Sequence, residues 1–139
     1  MLFTDSILSS EKLLEGAKSF FNNDIWKIIT KIQKDDLEDA IHCILVQSWT
    51  PAVMITMRVI ESAFKSYYNK IMGREPTNTW YNSLHELENE PSADKNLIGY
   101  FNYLRDIRNR AQHPVERYTQ FQAEEFFSHG IHILRTIYS

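Results

Sequence analysis

The chain has 139 residues, 43% of them hydrophobic and 24% charged, which is the balance of a globular domain rather than of a disordered or fibrous segment. A chain of this length buries roughly two-thirds of its unfolded surface around one core, so a single domain over residues 1–139 is expected. The formal net charge of −3 excludes a general nucleic-acid coat, which needs clustered Lys and Arg, and leaves only a local anion-binding patch.

Only four Gly and four Pro punctuate the sequence, too few for the turns of a sandwich or barrel. Leu, Ile, Glu, Lys and Ala recur in unbroken stretches, and the expected class is all-α. The lone Cys43 has no disulfide partner in the chain and lies in the apolar run from Ile41 to Val46, where a small buried thiol is expected. No charged leader precedes an apolar segment, and no run of about 18 apolar residues occurs. A cytoplasmic protein without a membrane span is expected.

In chain order, an amphipathic stretch from Glu11 to Phe21 follows Ser10, and Asn22-Asn23-Asp24 separates it from a second, Ile25 to Ile32. Together they predict one broken amino-terminal helix or two short ones. Asp35 and Glu38 have capping-box spacing and predict a helix through about Gln47, with Leu37, Ile41 and Leu45 on its apolar face. Thr50 as cap and Pro51 as first residue predict a long helix to about Met72, stopped by Gly73. A shorter helix is expected around Trp80 to Leu87, then a solvated acidic break with Glu86, Glu88, Glu90 and Pro91. Ser92 predicts a helix from Ala93 to about Gln112, ended by Pro114, and Thr119 with Gln122 predicts a last helix to Tyr138. The expected architecture is a bundle of about five main helices plus the broken amino-terminal piece. No repeat, strand pattern or Gly-rich phosphate loop is present, which removes Rossmann and P-loop readings.

Chemistry concentrates near the end of the sixth stretch. At about 100° per residue, Leu97, Tyr100, Phe101, Leu104, Ile107 and Ala111 form an apolar stripe. Arg108 and Gln112 fall on one edge of it, and Arg105, Asn109 and His113 continue round the same side. Between Phe101 and Arg117, four Arg face only Asp106 and Glu116, a local balance of +2 within an acidic chain. An anion is expected on this face.

The run Ile107-Arg108-Asn109-Arg110-Ala111-Gln112-His113 resembles the signature of the HEPN superfamily, an Arg commonly followed by a polar residue such as Asn, with a His a few positions on. The stretch from Asp39 to Tyr68, with Ala40, Cys43, Leu45, Pro51-Ala52 and Met57-Arg58-Val59-Ile60-Glu61-Ser62-Ala63, is similar to the helix pair preceding that motif in many prokaryotic HEPN domains. The resemblance covers roughly Asp35 to Tyr138. It implies a homodimer in which two motifs meet across a cleft and cut RNA without a metal or cofactor. In that chemistry a ribose 2′-OH attacks the adjacent phosphate. His113 accepts its proton, an imidazole being suited to proton transfer near neutral pH. Arg108 stabilises the phosphorane charge, and Asn109 orients the phosphate or His113. The need for a 2′-OH restricts the substrate to RNA. Arg105 is a supporting group, and Arg110, Gln112 and Arg117 are candidate substrate contacts. The family also implies settings such as phage defence or toxin–antitoxin pairs, with a cognate inhibitor or antitoxin protein as a further partner. One toxin branch carries a Tyr two residues after the His, where this chain has Val115; Tyr118 does not match, so that branch's regulation is not implied.

Plainer readings stand beside these. Arg108 and His113 can simply satisfy the terminal carbonyls of their helix. Glu61, beside the apolar stripe of Val53, Met57, Ile60, Phe64 and Ile71, can pair with Arg108 as a supporting group, or with Arg58 or Lys65 on its own helix. His129 and His132 are three apart but lack an evident third ligand, so no metal is expected. His42 and His85 have no companions in sequence. Trp26, Trp49, Trp80, Phe64, Tyr67 and Tyr68 are expected in the core or an interface more than on bases. An inactive HEPN-type dimerisation, nucleotide-binding or RNA-binding module is the competing function. A purely structural helical protein would give Arg108, Asn109 and His113 no reason to share a face.

Overall fold

Short polar side chains set where the helices begin. In the computed structural model, which describes residues 8–111 and 117–139, Ser9 opens α1 (Ser10–Glu15) by accepting the Lys12 backbone N–H at 3.4 Å. The expected stretch from Glu11 to Phe21 does not stay in one piece. Gly16, at a φ of 98°, ends α1, and a 3-10 turn over Ala17–Phe20 follows. Asn22 then caps α2 (Asn23–Ile28) through a 2.8 Å bond from the Ile25 N–H.

The third helix, α3 (Lys31–Leu45), starts one turn before its expected capping box, because Thr30 and Gln33 form a reciprocal box of their own. Asp35 instead pairs with Lys31 at 2.8 Å along the helix, and Glu38 accepts the Ala17 N–H at 2.6 Å. The long helix α4 (Trp49–Met72) begins two residues before its expected first position, Pro51. Thr50 thus lies inside the first turn, and its hydroxyl accepts the Tyr118 N–H at 3.0 Å. Gly73, at a φ of 73°, follows the last residue of α4 as expected.

Thr79 caps α5 (Trp80–Glu88), and Asp94 rather than Ser92 opens α6 (Lys95–Ala111), accepting the N–H groups of Asn96 and Leu97. The Thr119–Gln122 capping box starts α7 (Gln120–Ile137) as its spacing predicts. Among the described residues there are seven α-helices and no strand, so the fold is all-α.

The chain divides into two compact units, Met1–Glu61 with Arg117–Ser139, and Ser62–Glu116. The division falls within α4. In the first unit Leu37, Ile41 and Ile44 of α3, Val53 and Ile60 of α4, and Phe127 and Leu134 of α7 are buried together with Leu13 and Phe20. Gly130 lets α7 come close to α4, since a Cβ there would lie 3.0 Å from Thr56 Cγ2. Arg135 on α7 donates to the Phe20 carbonyl, with Nε at 2.7 Å, and fixes the end of the 3-10 turn. Buried Asp36 meets Arg58 at 3.5 Å; burial raises its carboxyl above the usual value and the guanidinium opposes the shift. Cys43 is partly exposed rather than fully buried.

The second unit packs the later turns of α4 with α5 and α6. Phe64 meets Phe101 edge to face with centroids 5.3 Å apart, and Tyr67 lies 6.2 Å from Phe101. The Tyr67 hydroxyl accepts the Asp94 N–H at 2.8 Å, so the start of α6 is tied to α4. Of the expected α6 stripe, Leu97, Phe101 and Leu104 are buried and Tyr100 and Ile107 partly so; Ile98, outside the stripe, is buried as well.

Two glycines make opposite predictions. Gly16 has a positive φ, and a Cβ there would meet Glu38 Oε1 at 3.1 Å; Gly99 lies in α6 with nothing within 4 Å. Gly16→Ala is expected to lower stability by at least about 1 kcal/mol and Gly99→Ala to raise it by roughly 0.5–1 kcal/mol. Urea unfolding midpoints of the two variants check this, and a Gly16→Ala midpoint at or above wild type contradicts it.

Candidate functional site

The carboxy-terminal half of α6 presents Arg105, Arg108 and Asn109. Arg105 is well covered, its side chain 19% exposed. Its guanidinium lies 5.0 Å from the Tyr81 ring centre, Nε donates to Asn102 Oδ1 at 3.4 Å, and Nη2 meets Asp106 Oδ1 at 3.4 Å. Arg108, half-buried one turn further on, lies over the Trp80 ring at 5.5 Å, and Trp80 stacks on Phe64 at 5.3 Å with an interplanar angle of 28°. Both guanidinium groups are thus carried on aromatic rings of α5, which fixes their direction. Asn109 is exposed beside them.

Arg110 lies on the same helix, and the expected positions of Gln112 and His113 lie outside the described residues. Arg117 is exposed in the first unit, two residues ahead of the α7 cap. Glu61 is half-buried and is the last residue of that unit, whereas Arg108 belongs to the second. Arg58, one of the partners considered for Glu61, reaches Asp36.

Sequence spacing gave His85 no companion, and the structure supplies two. Its ring stands at 83° to Tyr81 with centroids 5.3 Å apart, Nε2 lies 3.5 Å from the Tyr81 hydroxyl, and Nδ1 lies 3.2 Å from Glu88 Oε2. The i, i+4 and i, i+3 spacings of Tyr81, His85 and Glu88 carried that signal. Glu86, expected as a solvated acid, is instead the acceptor of three donors: the Tyr68 hydroxyl at 2.5 Å, Arg74 Nη2 at 2.6 Å and Asn78 Nδ2 at 3.0 Å. Those bonds, that from Tyr68 foremost, hold its carboxyl at about 2, below the ordinary 4.5. Arg74 also lies over the Tyr68 ring at 5.3 Å. The connection from α4 to α5 is therefore anchored at both ends, and with it the Thr79 cap and the position of Trp80.

His129 on α7 is half-buried, which lowers its pKa, while Glu125, 3.8 Å away, opposes the shift. Among the described residues no three His, Cys, Asp or Glu gather as a metal-ligand set, and no helix is long and apolar enough to cross a membrane. Compared with known families, curated proteins and solved structures, the chain matches none.

The Glu86 cluster gives a pH prediction. A carboxyl held at about 2 when folded and near 4.5 when unfolded contributes stability that is complete above pH 4.5 and lost as pH falls toward 2. Glu86→Gln is expected to melt below wild type at neutral pH, with the two melting temperatures converging as the buffer is acidified through that window. A gap unchanged at the acid end contradicts the assignment.

Proposed function

We propose that this chain is a metal-independent endoribonuclease of the HEPN type, acting as a homodimer in the cytoplasm on RNA. The observation that carries the reading is the Arg108-Asn109 pair at the end of α6, with the Arg108 guanidinium half-buried and seated over Trp80. A cation fixed in that way stabilises charge that appears during reaction without having to reorganise, and partial removal from water strengthens its pull on a phosphate.

The reaction runs in one displacement. A ribose 2′-OH forms a bond to the adjacent phosphorus, His113 takes the hydroxyl proton, and the bond from phosphorus to the 5′-oxygen breaks. The leaving oxygen takes a proton from water and ends as a 5′-OH, the imidazolium of His113 returns its proton to solvent, and the other fragment carries a 2′,3′-cyclic phosphate. Arg108 pairs with the phosphorane oxygens and Asn109 orients the phosphate. Arg110 and Gln112 contribute further substrate contacts. A two-fold axis places a second Arg and a second His in the same cleft, which completes a site that one chain fills sparsely. An enzyme of this kind needs restraint by an inhibitor protein, as in toxin–antitoxin or phage-defence systems.

The test is cleavage of mixed RNA by the purified protein in EDTA, with product ends analysed. Cyclic phosphate or its opened form is expected, DNA stays intact, and His113→Ala or Arg108→Ala lowers the rate by about 10²–10⁴ with circular dichroism unchanged. A requirement for Mg²⁺, or equal cutting of DNA, contradicts the mechanism. Binding of RNA without cleavage assigns the chain to the inactive, nucleic-acid-binding alternative. Light scattering on a sizing column reads the mass alongside; a strict monomer that cuts RNA removes the shared cleft and leaves the roles of Arg108 and His113.

A further inference from the structure

Two arginine–aromatic rungs lie one helical turn apart where α5 meets α6, and they differ in which partner is open. In one, Arg108 covers Trp80 and the indole stacks inward on Phe64. In the other, Arg105 lies over Tyr81, but here the arginine is the covered partner, its side chain 19% exposed, while Tyr81 remains 50% exposed. An ordinary surface tyrosine samples several rotamers. This one is held from behind by a guanidinium that Asn102 and Asp106 fix in turn, and at its hydroxyl end by His85 at 3.5 Å. A half-open aromatic ring, backed by a cation and one turn from a second guanidinium, has the chemistry that receives an unstacked nucleobase.

We propose that Tyr81 is the base-stacking position of the site: a nucleobase of single-stranded RNA lies on the open part of the Tyr81 ring, with Arg105 behind it, while a neighbouring phosphate reaches Arg108. That the strand is RNA rests on the ribonuclease reading; that it is single-stranded follows from the ring itself. Bases within a duplex are stacked on one another and offer no free face. The two arginines, three residues apart on one helix, have side-chain origins about 5–6 Å apart, which suits a base and a phosphate of adjoining nucleotides. Because every base has a π-face, the position is tolerant of sequence.

The test separates binding from cutting. The probe is a fluorescein-labelled, mixed-sequence oligoribonucleotide with 2′-fluoro in place of every 2′-OH, which internal attack cannot cleave, and the readout is fluorescence anisotropy. Tyr81→Ala is expected to weaken binding about tenfold, Tyr81→Trp to keep or tighten it, and the annealed duplex to bind more weakly than the single strand. Tyr81→Leu, which keeps apolar bulk without an aromatic face, gives the same loss as alanine and covers the case in which alanine disturbs α5. The proposal is overturned if Tyr81→Ala and Tyr81→Leu bind as wild type, if duplex and single strand bind equally, or if wild type binds neither. Tyr81-dependent binding in a protein that never cuts natural RNA supports the platform and removes the nuclease reading instead.

Discussion

The second unit depends on one indole. Trp80 is the first residue of α5, it stacks on Phe64 of α4 at 5.3 Å, and it carries the Arg108 guanidinium of α6 at 5.5 Å, so three helices meet on its ring. The cost is visible: its Nε1–H is buried and has no hydrogen-bond acceptor among the described residues, a penalty of about 1–3 kcal/mol. Aromatic stacking at about 0.5–1.5 kcal/mol and a partly desolvated cation–π contact at about 1–2 kcal/mol together offset a loss of that size.

What holds Trp80 lies upstream. Glu86 gathers Tyr68, Arg74 and Asn78, and so ties the connection after Gly73 to both the helix before it and the helix after it. Three donors on one carboxylate fix it in place more firmly than a single surface ion pair does. On the far side, Asp94 caps α6 while its own N–H is bonded to Tyr67, which sets the rotation of the motif helix. Arg105 and Arg108 thus come to their rings from a helix whose start is fixed. Local capping, the connection and the aromatic packing all converge on the direction in which two guanidinium groups point.

Much of this was legible in the sequence, and the remainder failed for identifiable reasons. The Thr119–Gln122 box, the end of α4 at Gly73 and the start of α5 near Trp80 follow from local chemistry that needs no partner from elsewhere. The boundaries that moved are those where two local solutions compete. Thr30 with Gln33 displaced Asp35 with Glu38 because Glu38 is taken by the Ala17 N–H, and Asp94 displaced Ser92 because the Tyr67 hydroxyl fixes Asp94. Helical periodicity placed Arg105, Arg108 and Asn109 on one side of α6, but it cannot say which rings lie opposite. The pairings with Tyr81 and Trp80 span more than twenty positions and exist only once α5 packs on α6. The role of Glu86 was hidden by its acidic neighbours, which made a solvated loop the natural expectation.

The central claim is that the nucleophile belongs to the substrate, and a DNA oligonucleotide containing a single ribonucleotide tests it most directly. With the protein in EDTA, the account predicts a single cut, at the phosphate on the 3′ side of the lone ribose, with a 2′,3′-cyclic phosphate on one fragment and a 5′-OH on the other. Cutting at any deoxyribose position, or a 5′-phosphate on the released fragment, contradicts it.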